Sequence, residues 1–383
     1  TGRIYKEEEL VKSLGGDMVF IEDITFSSST LLKNFFKVYP EEALIFLKKF
    51  GSKYSSDDII EKIKRFKDLK VLVIGETIID EYYYCEPKGK SPKSNIITTK
   101  YVGEERFAGG VLATANHVAE FCDNVTLVSY LGTENSYDNF IHNHLNKKIK
   151  HKFFTLEGAH TIVKRRFVEP GFLSKMFEIA YLDDRELPDS FEDKVCEYLE
   201  DELSGYDVVI VNDYGHGFIN KVIINALCSK SKFLAVNTQT NSTNTGFNLV
   251  TKFPRADYIC IDEPEVRLAC HDRHSSEEKL IKKISTILNC KKTTITLGKR
   301  GAMTFAPDEG ITYVPVLSTS VVDTVGAGDA FLALSSLAVV SGFSMEEVGF
   351  LGNAVGAMAV QIVCNREPIQ FMPLSKFIIA LLK

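Results

Sequence analysis

Six short apolar runs, separated by helix-length segments, leave this chain few folds to choose from. The first, at 70–79 (K-V-L-V-I-G-E-T-I-I), is one continuous strand-like stretch containing Gly75 and leading to Asp80. Runs at 125–130, 208–211, 233–236, 258–261 and 294–297 share its character. Uninterrupted apolar strands belong to a sheet covered on both faces, because a half-exposed strand alternates apolar with polar residues. Segments of helical length lie between them at 111–121, 192–203, 219–229 and 277–288. Alternation of this kind defines an α/β chain with a doubly wound, mostly parallel sheet and helices on both faces. Two stretches, near 82–105 and 161–182, are too polar for that sheet and carry turns at 87–89 (P-K-G) and 169–171 (E-P-G). They read as a small accessory sheet that covers a site.

Charge and cysteine content narrow the class of partner. A net charge of -6 disfavours a nucleic-acid binder, which needs a clustered basic excess to neutralise phosphates. No apolar run reaches the roughly 18 residues of a membrane span, so the expectation is a cytoplasmic protein acting on a small molecule. The 8 cysteines are scattered without C-x-x-C spacing and read as reduced thiols. Only Cys270, His271, Asp272 and His274 cluster with the residue types of a zinc site.

Residues 320–334 (S-V-V-D-T-V-G-A-G-D-A-F-L-A-L) carry the chemistry. Val321, Val322 and Asp323 read as a strand end, and Gly326, Ala327 and Gly328 as a turn into an apolar helix. Glycines let a backbone approach an oxyanion closely, and helix-opening amides carry positive partial charge. Asp329 at that point either caps the helix or takes a proton from a substrate hydroxyl while the amides hold a phosphoryl group. Two fragments mislead. Gly89-Lys90-Ser91 lacks the earlier P-loop glycine, with Tyr84 in its place, and Pro92 blocks a following helix; Phe331 stands where a dinucleotide fingerprint needs its third glycine.

The full string D-T-V-G-A-G-D-A-F closely resembles the C-terminal signature of the ribokinase-like carbohydrate kinases, the phosphofructokinase-B family. That resemblance implies a ribokinase-like fold with a β-lid, ATP and Mg2+ as cofactors, a sugar or sugar phosphate as acceptor, and a homodimer formed through the lid. It makes Asp329 the base and Gly326, Ala327 and Gly328 the anion hole. Asp80 would bind sugar hydroxyls, although a turn Asp at a strand end would look the same. Gly109, Gly110 and Asn116 resemble the family's G-G-x-x-x-N substrate signature. Asp213, in N-D-Y-G-H-G, sits where heptose 7-phosphate kinases have D-Y-G-K-G, with His216 replacing the lysine. Glu265 and Asp262 match the motif that supports Mg2+, or are helix-start carboxylates. Thr296, Gly298 and Gly301 resemble the turn beside the nucleotide, Asn353 the wall near adenine, and Asn237 the nucleotide side. A monovalent cation such as K+ is implied near Asp323.

Within the family the strongest resemblance is to the heptose 7-phosphate kinase half of the ADP-heptose synthases, carried by 75–80 (G-E-T-I-I-D), 90–92 (K-S-P) and 161–166 (T-I-V-K-R-R). One departure is at 236–239, V-N-T-Q in place of V-D-P-K. Alternation sends Lys164 and Arg166 to one strand face, either inward as a phosphate clamp or outward as guards of an edge. At the N-terminal side, 7–14 reads as a helix, 18–21 as a strand and 25–32 (T-F-S-S-S-T-L-L) as a turn opening a helix. The last is a plain serine cap, or resembles the closing motif of cytidylyltransferase-type nucleotidyltransferases. No H-x-G-H accompanies it. The expected organisation is therefore a nucleotidyltransferase-like C-terminal remnant over 1–40, a helical linker over 41–68 and the kinase domain over 69–383. A sensor or scaffold on a kinase fold is the alternative, against which the intact Asp329 argues.

Overall fold

Strand β1 (Lys70–Gly75) shows why the sheet lies inside the protein: Val71 and Val73 bury into one core while Leu72 and Ile74 bury into another on the opposite face. Each such side chain contributes about 1.5–3 kcal/mol by leaving water. The computed structural model describes residues 39–383, apart from 184 and 319. The helix, strand and serine turn expected before residue 39, and with them the proposed remnant domain, lie outside the described residues.

The large sheet has nine strands in the order β13-β12-β11-β10-β9-β8-β1-β4-β5. Besides β1 these are β4 (Asn124–Glu134), β5 (Ile149–His160), β8 (Val208–Asp213), β9 (Leu234–Thr238), β10 (Tyr258–Asp262), β11 (Lys292–Thr296), β12 (Ala302–Ala306) and β13 (Gly310–Val314). All neighbours pair in parallel except β11–β12 and β12–β13. Helices Val111–Ala119, Ala327–Val340, Met345–Ala359 and Phe371–Leu382 cover one face; Asp189–Glu202, Lys221–Lys230, Glu263–Ala269 and Glu277–Ile287 cover the other. Residues 41–68 form helices Glu41–Gly51 and Ser56–Lys64, which pack into the first core, where the rings of Phe50 and Phe350 stack 4.3 Å apart. Among the described residues no helix is long and apolar enough to cross a membrane.

A second sheet, ordered β3-β2-β6-β7, is built from β2 (Thr77–Lys90), β3 (Ile97–Gly110), β6 (Ile162–Glu169) and β7 (Ser174–Tyr181). Here the structure corrects the reading of 70–79 as one strand. The run breaks at Glu76, whose buried carboxylate turns away to accept the amides of Tyr214 and His216, and the chain re-enters as β2 of the second sheet. Asp80 thus rides on a lid strand instead of ending a central one. Residues 87–89, expected as a turn, stay within β2 as a register irregularity, and Val321–Asp323 form no strand. Strands β5, β12 and β13 lie outside the apolar runs; β5 begins Ile149 and then carries three consecutive exposed residues, Lys150, His151 and Lys152, and so lacks the continuous apolar signature.

Candidate active site

The order of strands reverses around β1: connections to β4 and β5 run one way and those to β8 and beyond run the other. In open α/β sheets a crevice forms at such a switch point, outside the carboxyl ends of the strands. Glu76 follows β1, Tyr214 follows β8, and the end of β9 carries Asn237, so polar groups of three strands converge there.

Helix Ala327–Val340 aims its start into this crevice. Gly326 precedes it at φ 86°, a left-handed conformation, and a Cβ at that position would lie 1.9 Å from Asn365 Oδ1, so only glycine fits the turn. Asp329, in the first helical turn, is buried and accepts the Tyr214 hydroxyl at 2.6 Å. Burial, against the Tyr214 hydrogen bond and with the negative charge of Asp80 adding to it, pushes its pKa up to about 7. A carboxyl of that strength exchanges protons efficiently at neutral pH.

Across the crevice the lid supplies charge. Asp80 and Lys164 are register partners on β2 and β6, as are Tyr82 and Arg166, so the four share one face; Glu81 and Arg165 take the other, where they pair at 2.7 Å. Arg166 is ion-paired to Asp80 and, at 2.8 Å, to Glu178. Gly109 makes room for this arrangement, since a Cβ there would lie 1.9 Å from Asp80 Oδ2. Gly110 is the residue from which helix Val111–Ala119 starts. Lys164 has no hydrogen bond or ion pair among the described residues; its ammonium sits 5.8 Å from the Tyr214 ring centre, and burial holds its pKa below the usual lysine range. The inward alternative for 164 and 166 is thus the observed one, with Arg166 already neutralised and Lys164 the open cation.

Two residues expected to contact the substrate have their side chains engaged within the protein. Asn116 brackets helix Val111–Ala119 to the next loop, giving its amide to His144 O and accepting Asn146 N, both at 2.9 Å. It stands two residues beyond the position that G-G-x-x-x-N gives, just over half a helical turn. Asp213 is wholly buried and closed off by Lys252 Nζ at 2.5 Å, Gly215 N and Asn248 Nδ2. Its neighbour Tyr214 is the residue that reaches Asp329. Glu76 lies beside this pair, and burial together with the charge of Asp213 pushes its pKa up to about 7. His216 is neutral, its pKa pushed down to about 3 by burial and then by Lys164.

Further along the crevice, Asp262 and Glu265 form a capping box: Asp262 Oδ1 accepts Glu265 N and Glu265 Oε2 accepts Asp262 N, both at 2.8 Å. Glu265 also accepts Thr240 N, and burial with the adjacent Asp262 pushes its pKa up to about 8. Thr296 ends β11, and Gly298 and Gly301 bound a turn braced by Arg300, which pairs with Glu263 and Glu277. Asn237 gives its amide to Cys260 O while its buried Oδ1 has no partner among the described residues. Asn353 ties its helix to Val314 O and also gives its amide to Gly349 O one turn back in the same helix. Asp323 is held by Lys175 Nζ at 2.6 Å and the Tyr82 hydroxyl at 2.7 Å, an ammonium standing where a monovalent cation is expected. No three His, Cys, Asp or Glu side chains among the described residues are placed to hold a metal, the 270–274 cluster included.

These features define a ribokinase-like α/β protein. The ribokinase of Thermotoga maritima superposes with a TM-score of 0.64 at 18% identity over 81% of this chain and 99% of its own. For the Arabidopsis thaliana ribokinase complexed with ribose and ATP the values are 0.62, 17%, 81% and 99%. Phosphofructokinase-2 from Escherichia coli in complex with potassium gives 0.65 and 13%, covering 82% of this chain and 100% of that one. A family model, the pfkB family carbohydrate kinase, matches residues 68–369, and the chain belongs to that family. Curated relatives include the bifunctional protein HldE of Citrifermentans bemidjiense, 22% identical over 78% of this chain, and that of Actinobacillus pleuropneumoniae, 24% identical over 79%. The chain spans only 61% and 62% of the length of those two relatives.

Proposed function

We propose that the protein transfers the terminal phosphoryl group of ATP to a hydroxyl of a sugar phosphate, in the manner of a heptose 7-phosphate kinase, with Asp329 as general base. The observation that carries this reading is Asp329 itself, a buried carboxyl of near-neutral pKa in the first turn of a helix whose start opens on the crevice. The acceptor hydroxyl gives Asp329 its proton as the hydroxyl oxygen bonds to phosphorus. The bond from phosphorus to the bridging oxygen breaks, and ADP leaves with that electron pair. Backbone amides at Gly326, Ala327 and Gly328 stabilise the charge on the transferring group. Asp80, oriented by Arg166 and given space by Gly109, accepts hydrogen bonds from the acceptor's hydroxyls, while Gly110 lets the chain turn closely past Glu76 O into the next helix.

Asn237, with its unpaired Oδ1, Thr296 and the 298–301 turn line the nucleotide side, and Asn353 contributes a wall, its amide being spent on backbone carbonyls. Asp262 and Glu265 fit magnesium: they are neighbouring carboxyls whose proton affinity burial raises, Asp262 adding to that of Glu265, and this metal is usually held by one or two carboxylates with phosphates and waters completing its shell. When bound it neutralises the nucleotide phosphates. Formation of ADP from ATP across a panel of free and phosphorylated sugars tests the reading; silence with every acceptor would leave a sensor or scaffold.

Lys164 is the residue we assign to the acceptor's phosphate. An unpaired, largely buried ammonium is stabilised by an anion in a charge-assisted hydrogen bond. Lys164→Ala is expected to raise KM for a phosphorylated acceptor about 10- to 100-fold with KM for ATP nearly unchanged. Equal kinetics for variant and parent, or a neutral sugar as the better substrate, would remove the phosphate from the proposal. The lid edges carry exposed Ile97, Tyr101, Val102, Phe177 and Ile179, apolar surface that supports a second copy packing lid to lid. Light scattering should give twice the chain mass, and Phe177→Lys should return it to the monomer value.

A further inference from the structure

Asp323 leads into the anion loop, and the family resemblance implies a monovalent cation near it; one structural neighbour, phosphofructokinase-2, is a complex with potassium. The residues present do not fit one at its carboxylate. That group is buried and both oxygens are engaged: Oδ1 by Lys175 Nζ at 2.6 Å and Val325 N at 3.2 Å, Oδ2 by the Tyr82 hydroxyl at 2.7 Å and Cys364 N at 3.1 Å. Lys175 comes from β7, the outer lid strand, and its ammonium also lies 5.7 Å from the Tyr82 ring centre. Burial pushes the Asp323 pKa up, but Lys175, Tyr82 and Val325 N outweigh it and hold the carboxyl below its usual range. An incoming potassium ion would have to shed water and displace an ammonium already in place. The exchange leaves one cation beside one carboxylate, as before, and returns nothing for the dehydration.

We propose that Lys175 is a built-in substitute for a monovalent cation, a positioning residue whose ammonium fixes Asp323 and the anion loop, so that phosphoryl transfer by this chain needs no potassium. This rests on the kinase reading above. The test compares parent, Lys175→Met and Lys175→Arg in potassium, sodium and tetramethylammonium chloride at constant ionic strength, by turnover and by melting temperature. The parent and the Arg variant should turn over within about twofold in all three salts, whereas the Met variant should lose about tenfold or more in tetramethylammonium and regain most of it in potassium. Melting should follow the same pattern, with a potassium-specific rise in the Met variant alone. A parent stimulated about fivefold or more by potassium, or a Met variant indifferent to the salt, overturns the proposal. Should the parent turn over with no acceptor, the kinase reading fails on its own, and the melting series still decides the role of Lys175. If the Met variant does not fold, the parent's salt series decides it.

Discussion

Replacing Asp329 by Asn is expected to lower phosphoryl transfer by about 10² to 10⁴ while ATP binding persists, because a positioned base contributes that much and the anion loop is backbone. Steady-state turnover with nucleotide binding by calorimetry checks it; a loss below about threefold would mean that the proton goes elsewhere. In the parent, kcat/KM should rise with pH through about 7 as Asp329 ionises. Tyr214→Phe deletes a hydrogen bond that favours the ionised form and should move that midpoint up by about one pH unit. Stability has the opposite slope. The folded pKa of about 7 exceeds the unfolded carboxyl value of about 3.9, so the folded state binds the proton more tightly. The resulting stabilisation is complete below the unfolded value and is lost as pH rises through the folded one. Asp329→Asn has no such slope, and its melting temperature should gain on the parent's between about pH 4 and pH 8.

Lys252→Met should cost about 3–5 kcal/mol at mildly alkaline pH, the usual penalty for removing one partner of a buried pair. Asp213 is fully buried against Lys252, with Glu76 beside it, so the change leaves Asp213 without its ion-pair partner next to a second buried carboxyl. Both pKa values are already raised by burial, and loss of the ammonium raises them further. Folding of the variant therefore takes up protons, and its deficit should shrink as pH falls towards about 5. Denaturant melts at two pH values read this directly. A deficit that ignores pH would mean that the loss is one of packing around the lysine stem. The damage should also reach the base, since Glu76 holds the amides of Tyr214 and His216 and Tyr214 holds Asp329.

What the sequence made legible was whatever depends on local backbone. The alternation of apolar runs and helices announced the sheet, and the glycine turn announced the helix start at Ala327. Side-chain direction at the ends of elements was not legible. Asp213 is the last residue of β8, and whether it or Tyr214 faces the crevice depends on where the chain leaves the strand. For Asn116 the motif's spacing differed by two residues, just over half a helical turn, and only the loop at His144 and Asn146 reveals what it holds. Lys175 and Lys252 lie 148 and 39 positions from the carboxylates they serve, with no motif to flag them. The capping box of Asp262 and Glu265 was open to reading, since D-E-P-E with a proline at the start of a helix is a local signal.

Glu76 is the sole residue between the last position of β1 and the first of β2, so the two sheets share a single covalent joint there. Asp80, Lys164 and Arg166 belong to the small sheet; Asp329 and the loop before it belong to the large one. On the proposed reading, the groups that grip the acceptor and the base that transfers the phosphoryl group thus belong to different sheets. On that reading, drift at 80, 164 and 166 would retune what is gripped without altering the backbone of the helix start, although the charges of Asp80 and Lys164 reach Asp329 and would carry part of any change to it.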